Sequence, residues 1–206
     1  MTATCFPTVN SVIAERIATA QRAAKRDFHG HVLRCDLNQG LYRCWRGGQP
    51  DSSFYHFYIT TKPGTLIVTG DIGDLVLERT DDMLAWSRSA INSISYFAEK
   101  VVRPMATREY DPDVAEAWYY ETVRDRDYYD YEHRRKLKEI VRDELGHDFN
   151  DQHAVEAAIY ESEIAEGEDW PKLNNYTWNF LWCREAVKWL LAQLPVDNGF
   201  VGGDGI

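Results

Sequence analysis

The sequence predicts an α+β fold, in which an N-terminal helix and an antiparallel sheet of about five strands precede an acidic helical subdomain. Three observations predict it. Short alternating segments separated by Gly and Pro turns fill residues 31–79, and helical spacing of apolar residues follows. The charge also changes near residue 105: residues 1–105 hold 12 Lys/Arg and 10 Asp/Glu, whereas residues 106–206 hold 11 and 23. The formal net charge of −10 therefore comes from the second half.

A helix is predicted over residues 8–26, because Val9, Val12, Ile13 and Ile17 recur on one helical face. Strands are predicted over residues 31–36, 41–46, 54–61, 65–69 and 74–79, with turns at 37–40, 63–64 and 70–73. Helices are then predicted over residues 83–87, 90–102, 113–126, 128–145, 151–166 and 175–193. We expect residues 1–105 to hold the N-terminal helix, the antiparallel sheet and the helices that follow it, and residues 106–206 to form the acidic helical subdomain. No linker separates them, so we expect one continuous core.

The cysteines predict a reducing environment, since the four of them contain no CxxC pair. Cys35 and Cys44 flank the first predicted strand turn, and we expect two buried thiols there rather than a disulfide. No apolar run reaches the ~18–20 residues that a membrane-spanning helix needs, and the N-terminus has no signal-peptide pattern. The expected location is therefore the cytoplasm.

Candidates for a metal or acid–base site lie on the predicted sheet. One candidate ligand set, which lacks the spacing of known metal sites, is His29, His31, His56, Cys35 and Asp36. Asp71 and Asp74 bracket a glycine in a tight turn, which suits a hard cation or ordinary hairpin chemistry. No GxSxG, Walker or dinucleotide-binding motif is present. The sequence predicts no catalytic residue, no metal site and no cofactor.

The most acidic segment runs from His147 to Trp170 and contains no Lys or Arg. Its carboxylates are Asp148, Asp151, Glu156, Glu161, Glu163, Glu166, Glu168 and Asp169. Such a run is usually a solvated helix face, but like charges one turn apart cost stability that interspersed cations would recover. A surface of this kind repels nucleic acid and attracts basic proteins, which it can engage by imitating a row of phosphates.

Aromatic residues mixed with acids form a second candidate for partner binding: Trp118, Tyr119, Tyr120, Tyr128, Tyr129 and Tyr131. Exposed rings among carboxylates are typical of a protein-binding patch, although a helix buried on two sides has the same composition. By contrast, Trp178, Trp182 and Trp189 recur on one side of the last predicted helix. This Trp stripe predicts a core helix.

One segment resembles a pattern found in uncharacterised proteins of phages and prophages. The matching residues, within about 30–90, are Pro63-Gly64-Thr65-Leu66, Gly70-Asp71-Ile72-Gly73, Arg79 and Asp82-Met83, after an aromatic strand at residues 54–61. The sequence departs from the pattern at Lys62, where an aromatic residue is common, and at residues 84–86, where phenylalanines are common. The resemblance implies a phage accessory gene and implies no activity.

Charge and resemblance together lead to the expectation of a phage-encoded anti-defence protein of the anti-CRISPR kind, or a host-takeover protein. It would bind stoichiometrically to a basic nucleic-acid-binding protein, such as a bacterial immune effector complex, with no direct contact to nucleic acid or membrane. An alternative is a small-molecule- or metal-binding protein, or an enzyme, whose sheet site uses Asp71, Asp74, His31 and His56. A third possibility is a structural protein of the virion, against which the lack of repeats argues.

Overall fold

The structure is a computed structural model that describes residues 6–102, 105–124 and 130–195, except the side chain of Glu168. Its elements follow the chain as α1 (Val9–Asp27), β1 (Val32–Gln39), β2 (Tyr42–Gly48), β3 (Phe57–Lys62), β4 (Thr65–Gly70), β5 (Leu75–Glu78), α2 (Met83–Ala90), α3 (Ile94–Glu99), β6 (Arg108–Tyr110), α4 (Pro112–Arg124), α5 (Tyr131–Asp143), α6 (Gln152–Ser162), a 3₁₀ turn (Gly167–Asp169), β7 (Asn174–Tyr176) and α7 (Trp178–Gln193). The predicted α+β fold class is confirmed: an N-terminal helix and a five-stranded antiparallel sheet precede the later helices.

Packing groups the chain into two compact units. The helical unit comprises Met1–Thr19 and Arg108–Thr177, and the sheet unit comprises Ala20–Thr107 and Trp178–Ile206. Each unit is therefore assembled from two separate stretches of sequence. The prediction of domains at 1–105 and 106–206 with one shared core stays a prediction.

The sheet of the sheet unit has the strand order β1-β2-β3-β4-β5, and every neighbouring pair is antiparallel. Alternate side chains are buried on β3 and β5, as a sheet with one covered face requires. On β4 the alternate residues Leu66 and Val68 are buried, together with Thr65 at its start.

Helix α7 supplies further core residues, including Phe180 and Val187, which are both fully buried. Trp189 meets Phe57 edge-on at 5.5 Å between ring centroids. The prediction that the last helix is a core helix is confirmed, although Trp178 and Trp189 of the predicted stripe are only half-buried.

Asp82 fixes the start of α2. Its carboxylate accepts hydrogen bonds from the backbone N–H groups of Leu84 (3.0 Å) and Ala85 (3.1 Å), as an N-cap does. Arg43 of β2 donates to both oxygens of the same carboxylate, at 2.9 and 3.1 Å. The bonds from the Arg43 guanidinium hold the pKa of Asp82 below its ordinary value, although partial burial opposes them. One carboxylate thereby joins the sheet to the following helix.

Gly70 ends β4 with a φ of +133°. A Cβ atom at this position would lie 2.4 Å from the carbonyl oxygen of His56 and 2.8 Å from the Cα atom of Phe57. Only glycine fits such a close approach of two backbones. The predicted turn at 70–73 is therefore present, and it keeps Asp71 beside the residue that precedes β3.

Several sequence predictions are wrong in detail. β3 begins at Phe57 rather than residue 54, because Tyr55 adopts a positive φ of 58° that breaks the extended chain. The prediction of free thiols at Cys35 and Cys44 is confirmed, but the prediction that both are buried is wrong: Cys35 is exposed and Cys44 is half-buried. A register shift between Cys35 and Leu37 pairs Cys44 with Leu37. Residues 174–176 form strand β7 instead of the start of the last helix.

The helical unit packs α4, α5 and α6 around one apolar cluster. Its buried members include Leu137 of α5 and Ile159 of α6, each 1% exposed. Strands β6 and β7 pair as a two-stranded sheet. Buried Asn175 donates to the carboxylate of Asp111 at 2.9 Å, which links β7 to the residue before α4. These contacts fix the frame that carries the acidic segment.

Candidate functional site: an acidic face on the helical unit

The first three acids of the acidic segment each accept a hydrogen bond from a nearby residue. Asp148 accepts hydrogen bonds from the backbone and the side chain of Asn150, at 2.9 and 2.8 Å, and these bonds lower its pKa. Asp151 caps α6 by accepting from the N–H groups of residues 153 and 154. Glu156 accepts a 2.9 Å hydrogen bond from Gln152, one turn earlier. Each of these three acids therefore has a local structural role.

The negative charges of this acidic segment contribute to raising the pKa of Tyr110. Its hydroxyl donates a 2.7 Å hydrogen bond to the carbonyl of Phe149. Burial is the largest cause that raises the pKa of Tyr110 to about 12, and negative charges add to it, from Glu156, Asp111, Asp151 and Asp148 in decreasing order. The structure thus brings Asp148, Asp151 and Glu156 close enough to act on one phenol.

The solvent side of α6 carries an exposed tyrosine between carboxylates. Tyr160 is 75% exposed, the largest exposed fraction among the described large hydrophobic residues. Glu156 lies one turn before it on the same face, and exposed Glu161 follows it directly. Tyr160 is not among the predicted contacts, although its position on the helical wheel signals exposure. It lies opposite the buried residues Val155, Ala158, Ile159 and Ser162.

The acidic segment continues past α6 with three further described carboxylates. Glu163 adopts a left-handed conformation at the helix end, and its carboxylate lies 3.3 Å from the ammonium group of Lys136 on α5. Glu166 and Asp169 are exposed, and neither forms an ion pair with any described residue. The predicted contact Glu168 has its side chain outside the described residues. We define the acidic face as Glu156, Tyr160, Glu161, Glu163, Glu166 and Asp169.

Helix α5 supplies cations that the acidic segment lacks. It carries Arg134, Arg135, Lys136, Lys138 and Arg142, and it packs against α6. Counting charge along the sequence overstates the isolation of the acids, since a neighbouring helix offsets one of them through the Lys136–Glu163 pair. Glu161, Glu166 and Asp169 remain without such a pair among the described residues.

The predicted aromatic contacts divide into buried and exposed rings. Tyr119 is only 5% exposed and belongs to the apolar cluster of the helical unit, so the prediction that it contacts a partner is corrected: it is a core residue. Trp118 and Tyr120 are half-buried against that cluster, and Tyr120 stacks on Phe6 at 3.9 Å. Tyr131 is 74% exposed. Tyr128 and Tyr129 lie outside the described residues.

The candidates on the sheet come together only in part. His56 and Asp71 form a pair, with 2.8 Å between Nδ1 and the carboxylate, and the same nitrogen lies 2.9 Å from the carbonyl of Ser53. His31 packs against Phe57 and contacts the carbonyl of Tyr55 through Nε2 at 2.9 Å. Asp74 does not join this pair; after burial, its negative charge is the second cause that raises the pKa of the Cys183 thiol. Within residues 6–102, 105–124 and 130–195, no group of three or more His, Cys, Asp or Glu residues could hold a metal ion.

Comparisons with protein-family models, with curated proteins and with solved structures find no match to this chain. Among the helices of the described residues, none combines the length and the apolar character that crossing a membrane requires. The geometry of the helical unit is therefore the basis for a functional proposal.

Proposed function

We propose that this protein binds a basic partner protein stoichiometrically through the acidic face. The observation that carries the proposal is the exposed Tyr160 on α6, accompanied by carboxylates one turn before it and directly after it. Tyrosine is enriched among the residues that contribute most to protein–protein binding, and the surrounding polar rim excludes water. The pattern supports a contact in which Tyr160 enters a pocket and the carboxylates meet Lys or Arg side chains.

The free carboxylates supply the electrostatic part of the proposal. Glu161, Glu166 and Asp169 have no ion-pair partner among the described residues, so their charges are available to a basic surface. Charges at the rim of an interface mainly accelerate association and select the partner, and salt weakens both effects. A row of such charges also resembles nucleic acid to a protein that binds phosphates.

We further propose that the partner is a basic nucleic-acid-binding protein of a bacterium, such as an immune effector complex. The protein would then be a phage-encoded anti-defence or host-takeover protein of the anti-CRISPR kind, acting in the cytoplasm of the infected host. The sequence resemblance at residues 63–83 and the acidic face support this proposal. Occupation of a nucleic-acid channel requires no cofactor and no contact with nucleic acid or membrane.

A capture experiment with matched charge reversals tests this function. The purified protein would be used as bait in a nuclease-treated bacterial lysate that contains defence systems, with mass spectrometry identifying the partner. Glu161, Glu166 and Asp169 would be replaced together by Lys. The control variant carries Asp51→Lys, Asp81→Lys and Glu99→Lys, which change net charge equally on exposed residues of the sheet unit. We expect the first variant to lose the partner and the control to retain it.

Competition with nucleic acid tests the mode of inhibition. Added duplex or single-stranded nucleic acid should displace a captured partner, and Tyr160→Ala should weaken binding about 30-fold or more if this ring is a central contact. Retention of the partner by the triple Lys variant would exclude the acidic face as the binding surface. Binding that ignores nucleic acid would exclude occupation of the channel.

The sheet supports a second candidate, a small-molecule- or metal-binding site or an enzyme site at His56 and Asp71. A carboxylate bonded to Nδ1 orients a histidine so that Nε2 can act as a base or as a ligand. Titration of the purified protein with Zn²⁺ in a calorimeter, with His56→Ala as the comparison, tests it. Equal heats for both proteins would exclude the metal-binding form of this candidate.

A further inference from the structure

A groove lined by cations lies on the helical unit, and none of its lining residues belongs to the acidic face. Its volume is about 660 Å³, and it is lined by Val123, Arg124, Tyr131, Arg134, Arg135 and Lys138. Pockets that bind small molecules typically enclose about 300–1,000 Å³. The groove therefore has room for a ligand of ordinary metabolite size.

The spacing of α5 explains why the cations share this groove. Tyr131, Arg134, Arg135 and Lys138 follow the pattern i, i+3, i+4 and i+7, which places them on one face of a helix. Arg124 is the last residue of α4, so a second helix adds its charge to the same groove. This cluster is not evident from the sequence, because acids dominate the composition of residues 106–206.

The exposed cations of the groove make few or weak contacts, so they can bind an anion. Arg124, Arg135 and Lys138 are exposed. Arg124 lies over the ring of Phe6 at 4.8 Å, and Arg135 lies 3.4 Å from Glu139, at side-chain exposures of 55% and 47%. An exposed pair of this kind is weak and competes poorly with a phosphate. Lys138 has no ion pair among the described residues, whereas Arg134 is buried and is not counted as a free charge.

We propose that this groove binds a nucleotide. Arginine forks and a lysine ammonium are the side chains that most often bind phosphate groups, and Arg124, Arg135 and Lys138 would hold them. Tyr131, 74% exposed at the groove, offers a ring on which the base stacks. The inference uses none of the residues of the acidic face, so it stands independently of the function proposed above.

The overall charge of the protein sets the conditions for the test. A formal net charge of −10 repels anions at long range, whereas the groove attracts them locally. Binding should therefore weaken as salt rises from about 20 to 200 mM, because screening removes the attraction of exposed cations. Calorimetric titrations of the whole protein would use ATP, inorganic pyrophosphate and adenosine as separate probes.

Variants assign the parts of the ligand to the residues of the groove. Arg124→Ala and Lys138→Ala should each weaken ATP binding by about three- to tenfold, in line with the loss of one ordinary hydrogen bond at a solvent-exposed site. Tyr131→Ala should weaken ATP binding about fivefold or more and leave pyrophosphate binding unchanged. Lys136→Ala is the matched control, because Lys136 lies on the same helix but contacts Glu163 outside the groove. It should change ATP affinity by less than about twofold.

Three results would overturn the proposal. The first is the absence of ATP binding at 1 mM probe and low salt, in a protein whose circular dichroism shows it to be folded. The second is equal affinity for ATP and pyrophosphate together with no effect of Tyr131→Ala, which would leave an anion site without base recognition. The third is an equal effect of Lys136→Ala and Lys138→Ala, which would place any binding outside the groove.

Discussion

Replacement of Gly70 by Ala provides the sharpest test of the sheet. The φ of +133° disfavours any residue with a Cβ atom, and an L-residue forced to positive φ loses about 1–2 kcal/mol. The added Cβ would also lie 2.4 Å from the carbonyl oxygen of His56, well inside van der Waals contact, so the two chains must separate. Overpacking of this kind costs about 1–3 kcal/mol more. The expected loss of unfolding free energy is therefore about 2–5 kcal/mol.

Gly40→Ala is the matched control. Gly40 also has a positive φ, 61°, but a Cβ atom there meets no atom within 4 Å. Its replacement should cost only the conformational part, about 1–2 kcal/mol. Urea unfolding followed by tryptophan fluorescence measures both variants, and the Gly70→Ala midpoint should lie lower than that of Gly40→Ala by about 1 M. Equal losses would show that the close approach at His56 does not restrict residue 70.

Three further predictions concern stability, pH and reactivity. Asp82→Ala should lower the unfolding free energy by about 1–2 kcal/mol through loss of the α2 cap, whereas Asp81→Ala, at an exposed residue, should be nearly neutral. Because the pKa of Asp82 is lowered in the fold, its contribution to stability should be present above about pH 4 and disappear as acid protonates the carboxylate. Urea unfolding at several pH values measures this loss. The pKa of Tyr110 is raised to about 12, so the unfolded chain ionises first and the unfolding free energy should fall by about 1 kcal/mol as pH rises from about 10 to 12. Tyr110→Phe should abolish that fall in alkaline unfolding curves. A pH-independent difference between the two proteins would contradict this prediction. In a Cys5→Ser background, a thiol reagent at pH 8 should modify exposed Cys35 at least about 100-fold faster than buried Cys183. Burial raises the pKa of the Cys183 thiol to about 12, so little reactive thiolate is present. Comparable rates would contradict the buried position of this side of α7.

The sheet was predictable because its signals are local. Pro63-Gly64 and Gly70–Gly73 mark turns by backbone chemistry that does not depend on the rest of the chain, and the strands between them alternate. Strands β6 and β7 were missed because three residues are too few to show a period. Their pairing depends on chain segments more than 60 residues apart, since Arg108 lies opposite Tyr176.

The candidate site was less predictable, since exposure depends on packing between helices. Sequence composition gave Tyr119 and Tyr131 the same status, yet one is in the core and the other is 74% exposed. Reading the sequence locates the acids along the chain, but Lys136 offsets the charge of Glu163 from a separate helix, which no count along the sequence shows. The cationic groove depends on Arg124 and α5 meeting in space, so no window of sequence contains it.

The late position of α7 in the sequence, long after the strands that it packs with, has a consequence for synthesis of the protein. The last strand of the sheet ends at Glu78, and α7 begins at Trp178, 100 residues later. At a translation rate of about 5–20 residues per second, the ribosome needs about 5–20 s to make that stretch. Throughout this interval the apolar side of the sheet lacks Phe180, Val187 and Trp189. Nascent chains should therefore expose this apolar side and engage chaperones that hold unfolded chains, until the ribosome releases α7.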